Sequence, residues 1–392
     1  MLINNAEQYN DELIKIRRHL HMHPELSFQE EKTLLYISDY LTALGIEVET
    51  GVGGRGVVGR MIKDPSLPTL AIRADFDALP IQDEKEVPYK STVPGVMHAC
   101  GHDAHTAVLL ITAKILSQHR DEIPGNIVFI HQHAEEVDPG GAIQMIADDC
   151  LRGVDAIIGQ HVSSSLPVGQ IGYKVGTVTG IPDDFWITLQ GRGGHAAHPD
   201  TTIDPIAAAI RLCNDLQYIV SRKTKPTAPA VLSITMFNAG EQNNVIPDSA
   251  KIGGTIRTFD AETQNLMYSE LKRCLEGLVT TTGITYELKY LKGYPPVVNT
   301  EKEMMTIVNA ARKIDSVTEL VELEPSLGGE DFSYYLQRVP GAFFYTGTRN
   351  ENFKADFPHH HPKFDIDEQG MMNAVKVFLQ SVEDYFKKEA SE

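Results

Sequence analysis

The 392-residue chain holds no run of about 18 apolar residues, so no membrane span is expected. Positive charge is scarce. Thirty-five Lys and Arg against 53 Asp and Glu leave a formal net charge of −18. That balance excludes the basic footprint of a general nucleic-acid binder and any strong pull toward anionic membranes. A single local arginine can still hold a carboxylate. Cysteine is also rare: Cys100, Cys150, Cys213 and Cys274 stand apart, and none forms a CxxC pair. Free thiols in a reducing cytoplasm are therefore expected. The segment Met1-Leu2-Ile3-Asn4-Asn5-Ala6-Glu7 has no basic stretch leading into an apolar core, so it is not expected to be a signal peptide. There is no internal repeat and no low-complexity tail.

What is present is ordinary globular composition, with 42% apolar and 22% charged residues. Domains cluster near ~100–150 residues, so this length calls for two or three. Helical periodicity covers residues near 5–22 and 29–44. Short apolar runs at 69–74, 126–130, 154–158 and 342–346 read as strands. Stretches at 105–117, 142–148 and 369–388 read as helices. Strands alternating with helices predict an α/β sheet covered by helices. The middle of the chain differs. Residues 185–190, 205–220, 231–237, 251–257, 262–281 and 285–291 follow the order β-α-β-β-α-β, the ferredoxin-like unit. The expected fold is thus an α/β domain from 1–177 and 293–392, with an α+β domain, 178–292, inserted in it.

Histidines and acids gather beside these predicted strands. Met97-His98-Ala99-Cys100-Gly101-His102-Asp103-Ala104-His105 leads into a helix, and His131-Gln132-His133-Ala134-Glu135-Glu136 follows the 126–130 strand. Gly159-Gln160-His161 follows 154–158, and His359-His360-His361-Pro362 comes after 342–346. Ligands of open α/β sheets bind beyond the carboxyl ends of strands, so these clusters can converge. Thiolate, imidazole and carboxylate together suit zinc and similar divalent metals. Two such ions would activate water and polarise a carbonyl. An adjacent carboxylate would serve as general base, and Glu135 and Glu136 could divide ligand and base roles. Each feature alone has a duller reading. A loop histidine is usually no ligand, Cys100 fits as a small buried residue, and three consecutive histidines can be a surface patch. A further reading makes Cys100 a nucleophile paired with a histidine.

The inserted region carries Gly191-Arg192-Gly193-Gly194-His195-Ala196-Ala197-His198-Pro199, which fits neither a P-loop nor a dinucleotide fingerprint. It reads either as a tight turn or as a donor loop placing His195 on an oxyanion. Asn243-Asn244-Val245-Ile246-Pro247-Asp248 and Arg257 are candidate contacts for a substrate amide and carboxylate. Gly328-Gly329-Glu330-Asp331-Phe332 reads as a helix start or as a wall of the site.

Taken in order, these motifs resemble the bacterial and plant amidohydrolases grouped with hippurate hydrolase, aminoacylase and auxin-conjugate hydrolase, relatives of dinuclear metallopeptidases. The likeness runs from Arg17-Arg18-His19-Leu20-His21-Met22-His23-Pro24-Glu25 through Arg73-Ala74-Asp75-Phe76-Asp77-Ala78-Leu79-Pro80 and the clusters above to His361-Pro362-Lys363-Phe364-Asp365. The resemblance implies two divalent ions per chain, zinc or manganese first and cobalt or nickel next. It implies metal ligands at Cys100, His102, Glu136, His161 and His360, with His359 the rival of His360. Glu135 is implied as acid/base, His195 as the histidine that polarises the carbonyl, often in the partner subunit of a homodimer, and Asp103 as support for a ligand. Asn244, Arg257 and Gly329 fall near the substrate. The implied substrate is an N-acyl-amino acid. The rival readings are a dipeptidase or aminocarboxypeptidase and, in another class, a non-catalytic acyl-amino-acid binder. The chain departs from the pattern at Val137-Asp138-Pro139, at His133 and at His359.

Overall fold

The computed structural model describes residues 2–389, with the side chain of Asn5 left out. Its residues fall into two compact units. The larger comprises Met1–Val178, Val297–Glu324 and Asp331–Glu392; the smaller comprises Thr179–Pro296 and Pro325–Glu330.

The larger unit is built on an eight-stranded mixed sheet. Its order is Glu47–Val52, Gly56–Met61, Asn126–Gln132, Thr69–Asp75, Ala156–Pro167, Gly341–Arg349, Gln170–Tyr173, Glu319–Glu322. The central neighbours, from Asn126–Gln132 to Gly341–Arg349, run parallel. Parallel strands are covered on both faces, which is why they read as continuous apolar runs. Alternation then divides their side chains. Leu70, Ile72, Ile127 and Phe129 pack with Leu13, Ile37, Leu109, Met304 and Phe378 from the long helices. Ala71, Val128 and Ile130 turn the other way, toward Met145 and Tyr335 on short helices. Two cores back one sheet, and its central strands end at one edge.

The smaller unit has a four-stranded antiparallel sheet in the order Ala230–Ala239, Ser249–Thr258, Ile181–Gln190, Thr285–Leu291. Helices Pro205–Arg222 and Ala261–Thr282 complete the β-α-β-β-α-β order. Phe185, Ile187 and Leu189 pack on Leu212, Leu216, Leu271 and Leu275. Asp204 starts the first helix by accepting from Ile206 N at 2.8 Å, just before Pro205 in the first turn.

Three features differ from the sequence reading. The strand expected to stop at Ile158 continues as Ala156–Pro167, because Gly341–Arg349 pairs along it and sets His161 opposite Tyr345. His161 is therefore inside the strand, not after it. The hairpin Glu47–Val52 with Gly56–Met61 and the helix Glu301–Ala311 were not anticipated. Residues 293–296 and 325–330, assigned by sequence to the larger domain, cluster with the smaller unit, where Gly180 N donates to Gly328 O at 3.0 Å, and Val178 clusters with the larger. No helix among the described residues is long and apolar enough to cross a membrane.

Candidate metal centre

The strand Thr69–Asp75 delivers Asp75 and, two residues on, Asp77. The strand Asn126–Gln132 delivers Glu135 and Glu136, and the helix His102–Gln118 opens on His102. Between Cys100 and His102 lies Gly101, with φ +97°; a Cβ there would sit 2.3 Å from Val162 Cγ2. Only glycine lets the backbone turn so close to the His161 strand. His360 also has a left-handed backbone, φ +65°, and its N–H donates to Ala99 O at 2.8 Å. That tie brings the carboxyl-terminal loop onto the Cys100 segment.

These turns gather the five expected ligands. Cys100 Sγ lies 3.4 Å from His161 Nε2, and His360 Nε2 lies 3.2 Å from Glu136 Oε1. His102 Nε2 is 3.9 Å from the same Glu136 oxygen. Two groups of donors result, Cys100 with His102 and His161, and Cys100 with Glu136 and His360; Cys100 belongs to both. Glu135, buried, shares a third group with His102 and Glu136. The rival His359 instead accepts the Ser164 N–H at Nε2, 3.3 Å away.

The imidazoles are oriented for metal. His102 donates from Nδ1 to Asp77, 3.0 Å to its carbonyl and 3.1 Å to its carboxylate, which leaves Nε2 as the acceptor face. That Nε2 is buried with no hydrogen-bond partner among the described residues. His161 likewise commits Nδ1 to Val162 O at 2.6 Å and turns Nε2 toward Cys100. A carboxylate or carbonyl behind a histidine is the usual support of a metal ligand. Asp77 is itself held by the Ser27 hydroxyl at 2.7 Å and the Glu136 N–H at 3.0 Å.

Electrostatics agree. Burial lowers His102, yet Asp75, Asp77 and Glu136 outweigh it and raise the imidazole to about 10. Burial, then Glu136, Glu135 and Asp75, push the Cys100 thiol well above its usual range. Burial holds His161 neutral, well below the usual value. The pocket thus has surplus negative charge and a thiol whose ionisation an added cation would favour. A neutral His161, an unpartnered His102 Nε2 and this surplus all fit divalent metal.

Some supporting residues went unassigned by sequence. Arg73 reaches Asp75 at 2.6 Å, Gln132 at 2.9 Å and Asp331 at 2.8 Å. His105 donates from Nδ1 to Asp75 at 2.6 Å and accepts the Val162 N–H at 2.9 Å, so it joins the helix to the His161 strand. The signal was available, since His105 lies three residues after His102 on one helix face, and Asp75 ends a strand. Asp103, which the resemblance implied as support for a ligand, accepts from Arg17 at 2.9 Å and from His21 at 2.7 Å.

In the smaller unit, the short strands Gly194–His195 and Val245–Ile246 pair, with His195 opposite Val245. Ala196 N donates to Asn244 O at 3.1 Å, which brings His195 and Asn244 side by side. Both are exposed. Arg257 pairs in register with Pro182, and a Cβ on Gly329 would stand 2.7 Å from Pro182 Cγ, so Arg257 and Gly329 share a second neighbourhood. Arg257 lies 3.6 Å from Asp184.

A model of peptidase family M20/M25/M40 matches residues 71–384. The chain belongs to that family. The protein YhaA of Bacillus subtilis (strain 168) is 49% identical over 367 residues, 94% of this chain and 93% of that one. An N-acyl-L-amino acid amidohydrolase of Geobacillus stearothermophilus is 46% identical over 294 residues, 75% of this chain and 80% of its own. The crystal structure of YXEP from Bacillus subtilis, described as a dinuclear metal binding peptidase from the M20 family, superposes with a TM-score of 0.83 at 37% identity, covering 97% of this chain and 99% of that one. This M20 member is therefore a metal-dependent hydrolase of amide bonds, and its donor groups accommodate two metal ions. The family expected from the motifs and the α/β architecture with an insertion both hold.

Proposed function

We propose that the protein hydrolyses the amide bond of N-acyl-amino acids, releasing a carboxylic acid and an amino acid. The observation that carries this reading is the single cluster of Cys100, His102, Glu136, His161 and His360 with Glu135 beside it. When bound there, two divalent ions polarise the scissile carbonyl and lower the pKa of water toward about 7. Cys100 is the ligand common to both donor groups. Glu135 takes the proton of the attacking water, the oxygen adds to the amide carbon, and Glu135 returns the proton to the departing nitrogen. His195 is assigned to donate to the developing oxyanion. Asn244 and Gly329 would contact the acyl-amide portion, and Arg257 the free carboxylate.

The thiolate, imidazole and carboxylate set suits zinc or manganese, and also admits cobalt or nickel. The reading includes a cytoplasmic homodimer. A Cys100 nucleophile is disfavoured, because its sulfur belongs to both donor groups and in this reading is committed to metal. Side-by-side assay of N-acetyl-amino acids, N-benzoyl-amino acids and dipeptides tests the substrate class. The N-acyl compounds should show the higher kcat/KM. A preference for unblocked dipeptides would replace this reading with a dipeptidase.

A further inference from the structure

The loop that presents Glu135 and Glu136 bends at Ala134, whose φ is +49°. For an L-residue with a Cβ the left-handed region is disfavoured, so surrounding contacts must hold it. The structure provides two at Ala134 itself. Its carbonyl accepts the Gly141 N–H at 2.9 Å, and its own N–H donates to Glu30 Oε1 at 2.9 Å. Glu30 is completely buried, and its second oxygen has no hydrogen-bond partner among the described residues.

Glu30 reaches this loop from a fixed platform. Leu26 bridges Ala78, Ala78 N donates to Glu25 O at 2.9 Å, and Gln29 N donates to Leu26 O at 2.9 Å. From the same short segment, Ser27 holds Asp77, which supports both His102 and the Glu136 N–H. Residues 25–30 thus brace the loop twice, at Ala134 through Glu30 and at Glu136 through Ser27 and Asp77.

We infer that Glu30 is a positioning residue for amide hydrolysis, its side chain fixing the left-handed turn at Ala134 and thereby aiming Glu135 and Glu136. What this role requires is an acceptor oxygen at glutamate length. Negative charge is not required. The bond Glu30 makes to the loop is accepted from a backbone N–H, so a neutral side chain with an oxygen in the same place can substitute. The inference rests on the assignment of Glu135 and Glu136 above.

Two variants separate reach from charge. Glu30→Gln keeps the length and the acceptor; Glu30→Asp keeps the carboxyl but withdraws it by one methylene. Supporting groups of this kind change activity or metal affinity by roughly 10–100-fold. Glu30→Gln should stay within about threefold of wild type in kcat and in manganese affinity measured by titration. Glu30→Asp should lose about tenfold or more in both, with KM little changed. Adding Ala134→Gly to Glu30→Asp should recover part of the loss, because glycine adopts the turn unaided. Thermal melting shows that each variant is folded. If Glu30→Asp fails to fold, Glu30→Leu combined with Ala134→Gly takes its place, with the same partial recovery expected over Glu30→Leu alone. Equal loss in Glu30→Gln, no loss in Glu30→Asp, or no recovery with glycine would overturn the inference. Absence of N-acyl-amino acid hydrolysis in wild type would instead count against the proposed function, while the metal titration would still test Glu30.

Discussion

At the scale of residues, the site divides labour between two adjacent acids. Glu136 faces His102 and His360 and shares a donor group with Cys100, whereas Glu135 is buried beside them and belongs to neither of the two groups that contain Cys100. Removing the charge of Glu135 while keeping its shape should therefore spare metal binding. Glu135→Gln is expected to lower kcat by about 10²–10⁴-fold, the usual worth of a general acid–base group, with metal content unchanged. Near-normal kcat in that variant would refute the assignment. Asp77 acts differently, by fixing the tautomer of His102. Asp77→Asn should weaken metal binding by roughly 10–100-fold, read by competition with a chelator. Unchanged affinity would show that His102 is oriented by the Asp77 carbonyl alone.

At the scale of elements, one buried arginine ties three segments together. Arg17, on the helix Asn10–Met22, reaches Asp103 at 2.9 Å, Asp365 at 2.8 Å and Glu368 at 3.3 Å. Burial, the largest single effect, would raise Asp103 and Asp365, but Arg17 and His21 at Asp103, and Arg17, Lys85 and His21 at Asp365, together outweigh it, and both carboxyls lie below their usual range. Arg17→Met leaves these carboxylates without their main partner and should cost about 3–5 kcal/mol at pH 7. The sign of the pH dependence follows from the depressed values. Stability from these groups is complete above the unfolded aspartate value of ~3.9 and is lost as pH falls through the lower folded values. The penalty of Arg17→Met, measured by urea unfolding, should therefore shrink below about pH 4. A penalty constant down to pH 3 would contradict the ion-pair account.

The same scale shows what the sequence reveals and what it conceals. Long periodic stretches were legible, so the order β-α-β-β-α-β could be read from residues such as Phe185, Ile187 and Leu189, which alternate against one helical layer. The hairpin at Glu47–Val52 and Gly56–Met61 was not, because its first strand is mostly exposed and its turn is rich in glycine. The extent of the His161 strand depends on pairing with a segment some 180 residues away, which local pattern cannot register. In the site, residues with ligand chemistry announced themselves. Glu30, Ser27 and Asp77 did not, since buried brace residues look like any polar loop until their partners are placed.

At the scale of the whole molecule, the chemistry-bearing ligands all lie in the larger unit, while His195, Asn244, Arg257 and Gly329 lie in the smaller one. Metal bound to the larger unit should stabilise it by mass action, about 2.7 kcal/mol at a free concentration 100 times Kd. Chelation should therefore lower its melting transition, and the shift should persist in Glu135→Gln. A transition indifferent to chelator would mean that the donor cluster binds no ion tightly. The most direct test of the whole account joins metal to chemistry on one sample. Untagged protein is analysed for metal per chain, then assayed on N-acyl-amino acids before chelation, after it, and after a divalent ion is returned. The account predicts about two metals per chain and hydrolysis that disappears and returns with them. Hydrolysis that survives complete removal of metal would contradict it.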